Sequence, residues 1–69
     1  MKNKIREFRY RRNLSQQELA DRCGVSRETI CRVEKNKANP SLSLAYHIAR
    51  QLDVTIEELF IPEEEPILQ

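Results

Sequence analysis

Leu14-Ser15-Gln16-Gln17-Glu18-Leu19-Ala20-Asp21-Arg22-Cys23-Gly24-Val25-Ser26 holds one complete helix start, a helix stop and the start of a second helix within thirteen residues. Ser15 is placed to accept a hydrogen bond from the amide of Glu18, and the Glu18 side chain to reach back to the amide of Ser15. Leu14 and Leu19 stand on either side of this capping box as a hydrophobic staple. The spacing predicts a helix running to about Cys23, with Leu19, Ala20 and Cys23 facing inward. Gly24 ends it, because glycine takes a positive φ without a Cβ penalty. The punctuation then restarts at once. Ser26 is a second cap, Val25 and Ile30 form a second staple, and a helix follows to about Lys35-Asn36 with Ile30 and Val33 inward.

Outward from this core the same grammar continues. Residues 2–12 predict a first helix with Ile5, Phe8 and Arg12 on one stripe, ended by Asn13, which tolerates the left-handed conformation common at helix ends. Asn36 to Pro40 reads as a loop. Pro40 cannot continue a helix and Ser41 caps the next one. In residues 42–52, Leu42, Ala45, Ile48, Ala49 and Leu52 share a face. Thr55 with Glu58 is another capping box, and Val54 with Leu59 another staple, so a short fifth helix ends near Phe60. The expectation is an all-α, five-helix bundle over residues 1–60, with no strand. Residues 61–69, with Pro62, Glu63-Glu64-Glu65 and Pro66, form an acidic C-terminal tail without regular structure.

Composition agrees with a single small domain. The chain has 69 residues, 39% of them hydrophobic and 33% charged, with one Gly and three Pro, which suits capped helices around a lean core. The net charge of +1 conceals an asymmetry. Residues 1–37 hold 11 Lys and Arg against five acids, whereas residues 38–69 hold Arg50 against six acids. A cationic half points to a polyanionic partner. No run approaches the roughly 18 apolar residues of a membrane span, no signal peptide is visible, and two cysteines make no disulfide framework. A reducing cytoplasm is the expected compartment.

Two helices joined by about three residues around Gly24 make the arrangement that reads DNA, in which the second helix stands clear of the body and enters a major groove. On that helix Ile30 and Val33 are the buried side, and Arg27, Glu28, Cys31, Arg32 and Lys35 form the opposite stripe. Arginine can grip guanine O6 and N7 with two hydrogen bonds, and a glutamate can accept from cytosine N4. Arg27, Glu28, Cys31 and Arg32 are therefore the candidate base contacts. Gln16, at the start of a helix whose amides and dipole favour an anion, and Ser26, Lys35, Asn36, Lys37 and Asn39 are the candidate phosphate contacts, which position the domain without reading sequence.

Leu14 to Ala20, Gly24-Val25-Ser26, Ile30, Glu34, Asn39-Pro40-Ser41-Leu42, Ile48-Ala49, Leu52, Val54 and Glu58-Leu59-Phe60 together resemble the Cro/C1-type helix-turn-helix family of phage repressors and bacterial regulators, over about Ile5 to Phe60. The resemblance implies a lambda-repressor-like fold and a sequence-specific transcriptional regulator, a repressor above all, that reads double-stranded DNA. It also implies that the residue at Gln16 braces the DNA backbone, and that Arg9 and Glu34 form an ion pair between the first and third helices. The family often has Gly where Asn13 and Asn36 stand, and Asn is the best non-Gly substitute in a left-handed conformation.

One recognition helix reads too few base pairs to mark a site in a genome, so a homodimer on a pseudo-palindromic operator is expected, with half-sites about 34 Å apart. Val54, Ile56, Leu59, Phe60 and Ile61 are the expected dimer surface. No metal or cofactor is expected. Cys23, Cys31 and His47 are too scattered for a zinc site; Cys23 reads as a small core residue and Cys31 as a neutral contact on the DNA face, with an oxidation switch there as the sharper alternative. The chain offers no phosphate-binding Gly-rich loop and no nucleophile–base pair, so neither an enzyme nor a small-molecule substrate is expected. The competing reading is an antitoxin or protein-interaction adaptor of the same fold, using the acidic half with Ile61, Ile67 and Leu68.

Overall fold

The computed structural model describes residues 2–62. Five helices follow in order: α1 (Ile5–Arg11), α2 (Gln16–Cys23), α3 (Arg27–Glu34), α4 (Leu42–Leu52) and α5 (Ile56–Leu59). The helix starts are set by hydroxyl caps. Ser15, Ser26, Ser41 and Thr55 each accept from the backbone amide three residues on, and Ser15–Glu18 and Thr55–Glu58 close complete capping boxes. The chain reverses through left-handed residues at Asn13 (φ 54°), Gly24 (φ 70°), Asn36 (φ 59°) and Asp53 (φ 58°). Of these, Asp53 is the one that a glycine-or-asparagine reading passes over.

α2 packs on α3 and α4, while α1 and α5 close over α4. Ile5, Leu19, Ile30, Ile48, Leu52 and Leu59 are fully buried at the centre, with Leu14, Ala20, Val33, Ala45, Ala49 and Phe60 around them. Each large aliphatic side chain withdrawn from water in this way contributes about 1.5–3 kcal/mol. Cys23 is partly buried against the core, and burial pushes its thiol pKa up.

Five sequence expectations are corrected. The fold is not purely helical: β1 (Lys2–Asn3) pairs antiparallel with β2 (Phe60–Ile61), in the register Lys2 to Ile61 and Asn3 to Phe60. Two-residue strands carry no periodic signal, and their pairing joins opposite ends of the domain, so no local pattern foretells it. The first helix accordingly starts at Ile5, not at residue 2, and Arg12 lies outside its inner stripe, exposed and ion-paired to Asp53 at 3.0 Å. Leu42 is 79% exposed and off the inner face of α4. It stands at the first position of the helix, on the rim of a groove that Ile56 of α5 and Phe60 of β2 also line. Ile61 lies in β2 instead of an irregular tail. Residues 63–69, with the acidic run and with Ile67 and Leu68, lie outside the described residues.

Candidate nucleic-acid interface

The turn between α2 and α3 is three residues long, Gly24 to Ser26. Gly24 donates to Asp21 at 3.3 Å, and Val25 donates to Ala20 at 3.0 Å. These bonds close the end of α2 and fix the direction in which the chain leaves it, while Leu19, Ala20, Ile30 and Val33 bury the inner faces of the two helices. α3 is thereby held by one side only. Its other side presents Arg27, Glu28, Arg32 and Lys35 to solvent, with Cys31 half-buried at the edge of the stripe. The loop beyond it exposes Asn36, Lys37 and Asn39.

The end of α3 is built as a Schellman turn. Lys37 N–H donates to the Arg32 carbonyl at 2.9 Å and Asn36 N–H to the Val33 carbonyl at 3.1 Å, which satisfies the last carbonyls of the helix. The Ser26 hydroxyl is committed to the helix start. It accepts from Thr29 N–H at 3.1 Å and shares a 2.9 Å hydrogen bond with the Thr29 hydroxyl.

Behind the interface, Arg9 crosses from α1 to Glu34 at the end of α3. Its Nε and Nη2 donate to the two carboxylate oxygens at 2.9 and 3.2 Å, and its Nη1 donates to the Leu14 carbonyl at 2.9 Å. Both side chains are almost wholly covered, 7% and 6% exposed. Gln16, half-buried at the first position of α2, places its Nε2 3.4 Å from the same carboxylate. The phosphate candidate, the ion pair and the recognition-helix candidate are therefore joined in one chain of contacts.

Two groups that the sequence reading passed over belong to this region. Asn3 accepts from Ile5 N–H at 3.1 Å and donates to the Val33 carbonyl and the Asn36 side chain. An Asn two residues before an apolar helix start is an Asx-turn signal, and it marks where α1 begins. Tyr10 accepts from Arg6 Nε at 3.2 Å and lies under the Arg6 and Arg9 guanidinium groups. The Arg6 hydrogen bond, followed by its charge, lowers the Tyr10 pKa.

Of the expected dimer surface, Leu59 is fully buried and Phe60 is 6% exposed. This is a correction: both belong to the core cluster of the single chain, so they are withdrawn from its surface. Val54 and Ile56 are half-buried and Ile61 is exposed. Ile56 also lines an open apolar groove of about 260 Å³ with Asn39, Pro40, Leu42, Ala45 and Phe60. Among the described residues, no helix is long and apolar enough to cross a membrane.

A cap, a three-residue turn and a second helix with one free face define a helix-turn-helix protein. A helix-turn-helix family model matches residues 5–59. The chain is 54% identical over 67 residues to an uncharacterized HTH-type transcriptional regulator of Archaeoglobus fulgidus, covering 97% of this chain and 94% of that protein. Among solved structures it resembles the restriction-modification controller protein C.AhdI from Aeromonas hydrophila, with a TM-score of 0.76 and 38% identity over 81% of this chain and 85% of that one. It also resembles the master regulator for biofilm formation SinR in complex with DNA, with a TM-score of 0.71 and 30% identity over 77% of this chain and 86% of that one. The chain belongs to the Cro/C1-type helix-turn-helix family, whose fold is a DNA-binding fold of transcriptional regulators.

Proposed function

We propose that this protein is a sequence-specific, double-stranded-DNA-binding repressor that acts in the cytoplasm as a homodimer and reads the major groove with α3. The observation that carries the reading is the free face of α3: Arg27, Glu28 and Arg32 are exposed opposite the buried Ile30 and Val33. Arg27 and Arg32 grip guanines, Glu28 accepts from cytosine or orients a neighbouring arginine, and Cys31 makes a small neutral contact beside them. Gln16, Ser26, Lys35, Asn36, Lys37 and Asn39 hold phosphates on either side. Because the Ser26 hydroxyl is occupied in the cap, its contribution comes through the backbone amides at the start of α3. Repression needs only occupancy of the promoter, which a compact DNA-binding domain supplies. SinR bound to DNA supports the polyanion as the partner of the cationic face.

Dimerisation uses the apolar surface that remains after Leu59 and Phe60 are assigned to the core: Val54, Ile56 and Ile61, extended by Leu42, which lines a groove with Ile56. Selection from a random duplex pool with the full chain, at stated salt, tests the reading. The expected result is an enriched pseudo-palindrome with half-sites about 34 Å apart. Failure to enrich any sequence, together with capture of a protein partner, would transfer the function to the adaptor class.

A further inference from the structure

The first strand reaches the end of the recognition helix through a single side chain. Asn3 lies opposite Phe60 in the strand pair, so its backbone is anchored to the far end of the domain. Its side-chain oxygen accepts from Ile5 N–H at 3.1 Å, which fixes the orientation of the amide. The nitrogen must then be the donor on the other side, and it bonds to both the Val33 carbonyl at 2.9 Å and Asn36 Oδ1 at 3.0 Å. An amide nitrogen only donates and an amide oxygen only accepts. Asn36 is thereby held with its oxygen toward Asn3, which leaves its NH2 group as the donor end of an exposed side chain flanked in sequence by the exposed Lys35 and Lys37.

We propose that Asn3 is a positioning residue for DNA binding: it fixes Asn36 so that the Asn36 NH2 group donates to a backbone phosphate. This rests on the DNA-binding reading above and adds to it a specific donor and the residue that aims it. A freely rotating Asn36 would offer phosphate an oxygen as often as a nitrogen. The clamp removes the repulsive orientation and the rotamer entropy lost on binding. Asn36 itself sits at φ 59°, so glycine can replace it without backbone strain.

The test uses the full chain with a selected duplex and an unrelated duplex. Asn36→Gly is expected to keep the thermal midpoint and to weaken both duplexes about tenfold, as expected for one hydrogen bond to a charged group. The salt slope should not change, because no positive charge is lost. Asn3→Ala is expected to weaken binding by a similar factor, but to have no further effect when added to Asn36→Gly. Asn3→Ser, which keeps an acceptor for Ile5 N–H, replaces Asn3→Ala if the latter does not fold. Multiplicative losses in the double variant, or unchanged binding by Asn36→Gly, overturn the proposal while the wild-type chain still binds DNA. A wild-type chain that binds neither duplex overturns the DNA reading, and this inference with it.

Discussion

The Arg9 guanidinium meets the Glu34 carboxylate side-on, two nitrogens to two oxygens, and spends its remaining face on the Leu14 carbonyl. It thus ties α1, the start of the α2 cap and the end of α3 to one buried point. Removing one partner leaves the other charge covered and unpaired. Glu34→Ala or Arg9→Ala is expected to cost about 3–5 kcal/mol in urea unfolding. The double variant Arg9→Met with Glu34→Leu should recover most of that loss, because neither charge is then stranded. A single-variant loss below about 1 kcal/mol, the range of a surface pair, would contradict this account.

Base reading and phosphate binding separate by mutation. Arg27→Ala and Arg32→Ala should each cost about 1–3 kcal/mol on the selected site and relax preference at one position. Lys37→Ala should weaken all sequences alike and reduce the magnitude of the log K against log salt slope by about 0.9. Repeating the selection with each variant decides the assignment; an unchanged consensus for both arginine variants removes them from base readout.

The apolar surface around Ile56 makes a separate claim. Ile61→Glu should shift the sedimentation equilibrium to monomer and leave the thermal midpoint near that of the wild type, since its side chain is exposed, whereas Ile56→Glu should also break the dimer but lower the midpoint, because Ile56 packs partly against the core. Leu59→Ala should instead unfold the domain by about 2–5 kcal/mol, because Leu59 is fully buried. A wild-type monomer at all concentrations, with and without duplex, removes the dimer.

Acid should weaken α2 through its capping box. The Glu18 carboxylate accepts from Ser15 N–H at 2.9 Å, and the backbone and side-chain hydrogen bonds with Ser15 lower its pKa from 4.5. The unfolded chain, with the ordinary value, takes up the proton first as pH falls. The stabilisation is therefore complete above about pH 5 and is lost as pH drops through the lowered folded value. Glu18→Gln should flatten this part of the stability–pH curve. An NMR titration that puts the Glu18 carboxyl at or above its ordinary value would refute the assignment.

Gly24 separates backbone strain from steric clash. A Cβ added there meets nothing within 4 Å, yet φ is +70°. Gly24→Ala should cost about 1 kcal/mol from the left-handed backbone alone, and Gly24→Asn less, because Asn tolerates that region better. A loss of several kcal/mol by denaturant titration would mean that space, not φ, decides the position.

What the sequence determined by itself was everything written in short-range chemistry. Four hydroxyl caps, two capping boxes, Gly24 and the left-handed Asn13 and Asn36 all act within about five residues, and they placed α2 to α5 and the free face of α3. Tertiary structure alone decided the rest. The pairing of Lys2–Asn3 with Phe60–Ile61 joins the two ends of the domain, so no local rule contains it. The burial of Leu59 and Phe60 and the exposure of Leu42 depend on which helix lies above each side chain, whereas periodicity specifies only a face. Asn3 shows the difference most sharply. Its neighbours announce a helix start, but its bonds to Val33 and Asn36 exist only because the fold brings residues some thirty positions apart within hydrogen-bonding distance.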